Sequence, residues 1–357
     1  MPWRSSGTRN EGGMRRTPAL LRAGGRTGAS RKRPHTMRSY RGRTMEKPSG
    51  FAPGVRSPPA FVLVVLNPAS GRGAGGRMRP RIEAALQRTG VRYRLVATTG
   101  AGHAGDLARE AAQNGADRLL VAGGDGTLHD AVQAHTPGWP PLGVLPTGTG
   151  NDVARALRIP LSVERALDVA LHGAPRRLDL ARCNGRRFIN VAGCGFDAAV
   201  ADRVNRRCRW LSGTAAYIAA MASVLMTYRA SRMLVQVDDA TAFEGPAMLV
   251  AVANSGCYGG GMRIAPDART DDGLLDVCIV RSVGRLRFAL AFPRVYRGTH
   301  TTHPGVRMLR GARVRIESDG SPLMLIDGEV WGSVPAVFGV EPLAVTFMTP
   351  AVGGESA

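Results

Sequence analysis

Residues 61–66 read Phe-Val-Leu-Val-Val-Leu, six apolar side chains in a row. A strand with one wet face alternates apolar and polar positions. A short unbroken apolar run belongs instead to a strand buried on both faces, as in a parallel sheet covered by helices. Val91–Ala97, Arg118–Ala122 and Leu142–Leu145 also read as strands. Helical patterns at Met78–Arg88, His103–Asn114, Thr127–Ala134 and Asn151–Leu157 alternate with them, and a helix over Val163–Leu171 closes the set. The alternation predicts βαβ units. After about Pro175 the character changes. Strand-like runs follow one another at Phe188–Val191, Met233–Val237, Ala247–Ala253, Leu274–Val280, Val314–Ile316, Leu323–Ile326, Ala336–Val340 and Leu343–Phe347. Only an uncharged helical stretch, Leu211–Tyr228, interrupts them, and short strands in such succession predict an antiparallel sandwich or barrel.

The expected fold is therefore α/β plus all-β. A Rossmann-like parallel-sheet domain spans residues 60–174, with the run at 343–347 a candidate to return to it. A β-sandwich domain with an inserted helix spans 175–341, and a ligand cleft lies between the two. Leu211–Tyr228 is at the short limit for spanning a bilayer and carries Ser, Gly and Thr, so it is expected to pack as a buried or interface-facing helix.

The formal charge of +21 is unevenly spread. Residues 1–57 hold 14 Lys and Arg against Glu11 and Glu46, a net of +12, leaving 21 − 12 = +9 for the rest. That segment lacks apolar periodicity and is expected to be a disordered basic tail. It has no apolar core of a secretory signal. A transit-peptide reading stands beside a start codon placed too far upstream, with Met37 or Met45 as the true start; the predominance of Arg over Lys favours the latter. The five cysteines are odd in number and form no CxxC pair, which points to reduced core thiols.

Three glycine-rich turns carry the chemistry. Gly71, Gly73 and Gly76 satisfy G-x-G-x-x-G after a strand, but the carboxylate that would hold a ribose at the end of the second strand is absent, where Ala97-Thr98-Thr99 stands. The second turn, Gly123-Gly124-Asp125-Gly126-Thr127, lies at the carboxyl end of a buried strand and opens a helix, where backbone N–H groups meet phosphates. Asp125 would repel a bare phosphate, so it either manages a metal or a proton or merely caps the helix. The third turn, Pro146-Thr147-Gly148-Thr149-Gly150-Asn151-Asp152, repeats the placement at the same sheet edge, which favours the first reading. Neither turn has the lysine of a P-loop.

With Asn67-Pro68-Ala69-Ser70-Gly71 ahead of them, these turns resemble the diacylglycerol kinase catalytic-domain family, within it the soluble bacterial lipid kinases related to sphingosine kinases. Asn190–Asp197, Tyr258–Pro266, Asp272-Gly273-x-Leu275-Asp276 and Asp327-Gly328-Glu329 extend the likeness, so that it covers roughly residues 60–349. The resemblance implies an ATP- and Mg²⁺-dependent phosphoryl transfer to a lipid hydroxyl. It places ATP against Asn67, Ser70, Gly71, Thr98, Gly123, Gly124, Asp125, Gly126, Thr127, Leu128, His129, Gly148, Thr149 and Asn151, with Asp125 organising the metal. It makes Asp327 or Glu329 the general base. Because residues two apart in an extended segment share a side, both carboxylates are expected to face the cleft, with Asp327 favoured as the shorter. A structural cation would take the Asp272 carboxylate and the carbonyls of Arg269 and Leu274. Where the family continues with a hydrophobic residue and Asn-Glu, this chain has Leu128-His129-Asp130.

The same loop on a similar fold occurs in NAD kinases, a competing enzyme reading. A basic membrane- or nucleic-acid-binding module is the non-enzymatic one, but no Lys/Arg block interleaved with aromatics remains outside the tail, so no nucleic-acid partner is expected. The resemblance implies a cytoplasmic protein peripheral at the inner face of the membrane, with a membrane lipid as partner; a homodimer is left open.

Overall fold

A computed structural model describes residues 59–351 apart from 208–213, with backbone alone at 205, 207 and 214–218. The basic tail, Cys208 and the first residues of the Leu211–Tyr228 stretch lie outside the described residues. The apolar runs of the first half form β1 (Phe61–Leu66), β2 (Arg92–Ala97), β3 (Arg118–Gly123) and β4 (Leu142–Pro146). They pair in parallel in the order β2-β1-β3-β4. The connecting helices are α1 (Ser70–Thr89), α2 (His103–Gln113), α3 (Asp125–Ala134), α4 (Asp152–Ala156) and α5 (Val163–His172). Burial on both faces explains the unbroken apolar runs: Val62, Val64, Leu120, Val121 and Leu145 are all fully enclosed.

The second half forms β5 (Ala174–Cys183), β6 (Arg186–Phe188), β7 (Val191–Gly195), α6 (Phe196–Arg207), α7 (Thr214–Thr227), β8 (Ser231–Val237), β9 (Ala240–Ala253) and β10 (Leu275–Arg281). After them come α8 (Arg285–Ala291), α9 (Arg294–Arg297), β11 (Val306–Gly311), β12 (Arg313–Ser318), β13 (Leu323–Ile326), β14 (Glu329–Ser333) and β15 (Ala336–Thr349). Apart from one parallel contact the pairings here are antiparallel, in the order β14-β13-β7-β9-β8-β12-β15, with β10 beside β9 and β11 beside β10. β9 shows why this lobe is apolar on two sides. Val250 and Val252 enter the sandwich interior with Met233, Val277 and Ile316, while Leu249, Ala251 and Ala253 face outward under Phe196, Phe288 and Tyr258.

Two strands join the lobes. β15 pairs with β12 at Phe338, kinks at Leu343 (φ +50°), then meets β4 in parallel at Phe347 opposite Leu142. β5 follows it antiparallel along both stretches, so Leu178, Leu180, Val345 and Phe347 belong to the core of the first lobe. Asp179 holds the kink: its carboxylate is buried and accepts the N–H of Leu343 (2.7 Å) and of Gly273 (2.8 Å). The expected strand Phe188–Val191 is a break instead, between β6 and β7, for a reason given below.

Because β5 and β15 are shared, the lobes cannot melt apart without tearing a strand. Phe347→Ala should cost about 3–5 kcal/mol, the usual loss for a buried Phe. Urea unfolding followed by far-UV circular dichroism should remain one transition; two separated transitions would show the lobes to be independent.

Candidate functional site

The three glycine turns meet at the carboxyl ends of β1, β3 and β4, and they meet backbone to backbone. A Cβ at Gly148 would stand 2.5 Å from the Cα of Gly124, and one at Gly71 would stand 2.3 Å from the carbonyl oxygen of Thr147. Only glycine allows this approach, and Gly71 also sits at φ +56°. Polar side chains then tie the turns. Asn67 donates through Nδ2 to Thr127 Oγ1 (2.9 Å), and the hydroxyls of Ser70 and Thr147 share a hydrogen at 2.7 Å. Asn151, at φ +52°, closes its own turn: its Oδ1 accepts the Gly148 N–H and its Nδ2 donates to the Gly148 carbonyl, both at 2.9 Å. Asn67, Ser70 and Asn151 therefore shape the turns. Thr149 is exposed on the rim and Thr98 half-buried at the end of β2.

Asp125 opens α3 beneath the third turn, where its Oδ1 accepts the Val153 N–H (3.0 Å). Asp152 lies next to it, buried, accepting N–H groups from Gly260 and Gly261 of the second lobe at 2.9–3.0 Å. Desolvation raises the pKa of both carboxyls, and their mutual repulsion adds to it for Asp125. Arg155 opposes the rise at Asp152. Two crowded carboxylates with so little counter-charge suit a divalent cation carried in on a phosphate ligand.

The expectation for Leu128 and His129 is corrected: both side chains are about 2% exposed and point away from the turn surface. Leu128 joins the first-lobe core. His129 crosses to the second lobe, its Nδ1 standing 3.0 Å from Asp327 Oδ2. Arg186 donates from Nε to His129 Nε2 (2.9 Å), so Nε2 is the acceptor and the ring proton belongs on Nδ1, donating to Asp327. Asp130 accepts the Gly102 N–H at the start of α2 (2.7 Å).

The expectation that Asp327 and Glu329 both face the cleft is also corrected. Asp327 lies at φ +46° and Gly328 at φ +88°, a tight turn and not an extended segment, so the two side chains diverge. Asp327 turns inward. Its carboxylate, 2% exposed, accepts N–H bonds from Ile189 (3.0 Å), Asn190 (2.9 Å) and Val191 (3.3 Å) besides the His129 contact. Those N–H groups are lost to any strand ladder, which is why β6 and β7 are separate. Glu329 turns outward and is 62% exposed, with Oε2 3.6 Å from Arg186. Its Oε1 lies 3.1 Å from where a Cβ of Gly126 would be. It is the carboxylate that overhangs the Gly123–Thr127 turn.

At the expected cation loop the Asp272 carboxylate already has protein partners. Asp272 Oδ2 is paired with Arg310 and its Oδ1 accepts the Leu274 N–H (3.1 Å). The Arg269 guanidinium turns to Asp271 (3.4 Å), and Arg310 reaches Asp276 as well (3.2 Å). Both Asp272 oxygens are thus engaged, with the Arg310 guanidinium supplying positive charge beside them.

Several residues at this junction were not singled out from the sequence. Arg186 bridges His129 and Glu329. Arg187 donates to the Val132 carbonyl (3.3 Å) and pairs with Glu341 (2.8 Å). Asp197 is buried, its Oδ2 accepting the Tyr258 hydroxyl hydrogen (3.1 Å), and burial lifts its pKa from 3.8 to about 6. Asp152 and Asp197 stood inside recognisable motifs; Arg186 and Arg187 carried no signal. Beside Asp197 opens a narrow cavity of about 60 Å³ lined by Phe196, Tyr258, Met262, Ile264, Phe288 and Phe292, among other chiefly apolar side chains.

A parallel α/β lobe thus presents its glycine turns to an antiparallel sandwich across a carboxylate-lined junction. Residues 61–183 match the diacylglycerol kinase catalytic domain, and residues 190–349 match the YegS C-terminal NAD kinase beta sandwich-like domain. The chain is 33% identical over 298 residues to a diacylglycerol kinase of Mycobacterium tuberculosis, covering 82% of this chain and 96% of that one. It is 31% identical over 278 residues to a diacylglycerol kinase of Bacillus subtilis, covering 77% and 91%. A crystal structure of a diacylglycerol kinase from Bacillus anthracis shares the fold, with a TM-score of 0.68 at 23% identity over 82% of this chain and 98% of that one. The chain belongs to the diacylglycerol kinase family and is a kinase.

Asp197 makes stability pH-dependent in a definite direction. Between its ordinary value of 3.8 and about 6, the folded state keeps a proton that the unfolded state has released. This contribution favours the folded state at low pH and is lost as pH rises through about 6. Asp197→Asn should therefore gain in stability relative to the natural chain from pH 4 to about 7. A difference in unfolding free energy that is flat across this range would show that Asp197 is not held protonated.

Proposed function

We propose that this kinase transfers the γ-phosphoryl group of ATP to a hydroxyl of a membrane lipid, diacylglycerol or a close relative. The observation that carries the reading is the Tyr258–Met262 hairpin. Its tip donates N–H groups to Asp152 beside Asp125, while the Tyr258 hydroxyl holds Asp197 at the polar end of the apolar cavity. The narrow, largely apolar space and the glycine turns are thus two ends of one short element.

In this reading the turn N–H groups and the α3 N-terminus receive the ATP phosphates. Asp125, with Asp152 behind it, would hold Mg²⁺, which when bound would offset the charge on the phosphates. The acceptor lipid lies with its chains in the cavity and its headgroup toward Asp197 and Tyr258. Glu329 takes the proton of the attacking hydroxyl. The new bond forms from that oxygen to the γ-phosphorus, the bond to the bridging oxygen breaks, and ADP leaves. Arg186 orients Glu329 and keeps it off the phosphates. Asp327, the acid favoured from the sequence, is a positioning residue: its oxygens are already engaged by backbone, and it fixes the floor on which Arg186 and Glu329 stand.

The two acids should separate cleanly by experiment. Glu329→Gln should lower kcat by roughly 10²–10⁴-fold, the usual worth of a general base, with KM for ATP and Tm nearly unchanged. Asp327→Asn should lower Tm first, because an amide replaces one acceptor oxygen with a donor amid N–H groups. Turnover of labelled ATP on diacylglycerol, alongside thermal melts, reads both. Full activity in Glu329→Gln, or a silent melt with lost activity in Asp327→Asn, would return the base to Asp327.

A further inference from the structure

A water-exposed helix ordinarily has one apolar stripe and turns it inward. α8 is apolar on both sides. Phe288 is buried and, with Ala291, lines the cavity. Leu286 and Leu290, one turn apart, stand 74% and 72% exposed, and Tyr296 in α9 is 46% exposed. Around them the stretch 281–297 carries Arg281, Arg285, Arg287, Arg294 and Arg297 and no acidic residue. All five arginines are exposed, and none of them enters an ion pair among the described residues, although most other surface carboxylates of this lobe have taken an arginine partner.

We propose that α8 and the start of α9 form a membrane-docking face that inserts Leu286 and Leu290 into an anionic phospholipid surface, with the arginines at headgroup level. The inference rests on the lipid-kinase reading and adds the surface through which the lipid reaches the cavity. Charge favours a bilayer over a protein partner. Unpaired arginines flanking paired leucines suit a surface of phosphates above hydrocarbon, where long cationic side chains keep their heads in the wet layer. The inner face of the same helix fits this role too. An element that lines an apolar cavity on one side and enters the bilayer on the other lets acyl chains pass without crossing water.

The test uses the full-length protein with vesicles of phosphatidylcholine alone or mixed with phosphatidylglycerol, each with and without dioleoylglycerol. In Leu286→Trp, bromine on the acyl chains of the mixed vesicles should quench emission beyond the quenching seen in the natural chain. Leu286→Asp with Leu290→Asp should lower ATP-dependent phosphorylation of vesicle-borne dioleoylglycerol by at least about tenfold. The same variant should keep its turnover on dispersed dihexanoylglycerol. Arg285, Arg287, Arg294 and Arg297 together changed to Gln should abolish the preference for phosphatidylglycerol. The docking face is overturned if the Leu286→Trp variant shows no added quenching on vesicles, if the leucine double variant phosphorylates vesicle lipid normally, or if sedimentation shows Leu286 and Leu290 holding two copies together. Quenching and the charge preference are read without turnover. Quenching without activity on either diacylglycerol would therefore sink the lipid acceptor while leaving the docking face intact.

Discussion

The Asp327 carboxylate holds the two lobes in register. Three successive backbone N–H groups, from Ile189 to Val191, and the His129 ring converge on its two oxygens in a site that water barely reaches. An acid accepting this many hydrogen bonds in low dielectric is expensive to remove, because each donor would be left unsatisfied. The same cluster ends β6, starts β7, fixes the β13–β14 turn and reaches into α3. Arg186 bonds to the far nitrogen of His129, and its guanidinium lies 5.7 Å from the Trp331 ring centre, so the arginine beside Glu329 has little freedom. The positions of the groups over the glycine turns thus descend from one buried carboxylate.

A second constraint acts below them. The contact of Gly124 with Gly148 brings two turns closer than any side chain allows, so their N–H groups can converge on one small volume. That convergence creates positive potential at the mouth, while Asp125 and Asp152 below are desolvated and crowd each other. In the proposed reading, a phosphate ligand with its own divalent cation would meet the turn N–H groups and the Asp125 carboxylate together.

How much of this could be read from the sequence depends on whether a signal is local. The runs at β1, β3 and β4 are visible because burial on two faces forbids polar residues, and the glycine turns because close approach forbids side chains. β5 was missed: Pro-Arg-Arg-Leu-Asp-Leu-Ala-Arg has no clean alternation, since Asp179 points inward to hold Leu343 and Gly273. Phe188–Val191 looked continuous because the residue that interrupts it is 136 or more positions away. Asp327 and Glu329 were both expected to face the cleft by a rule valid for extended chain; a positive φ at Asp327 and Gly328 turned one side chain inward. His129 was ambiguous for the same reason, its partners lying on other elements.

Function then follows from how few elements separate the lobe surface from the glycine turns. Phe196 packs edge-on against Phe288 at 4.9 Å and against Tyr228 at 5.5 Å, so α8, α6 and the end of α7 share one aromatic wall of the cavity. Asp197, the next residue along α6, binds Tyr258, and Gly260 and Gly261 of the same hairpin bind Asp152. A displacement of α8 would reach the carboxylate beside Asp125 through packed rings, one buried hydrogen bond and one hairpin. The path is short, and its last step is the glycine-rich hairpin itself, with Gly259, Gly260 and Gly261 all at positive φ. The cavity wall and the carboxylate beside Asp125 are thus joined through the same few residues.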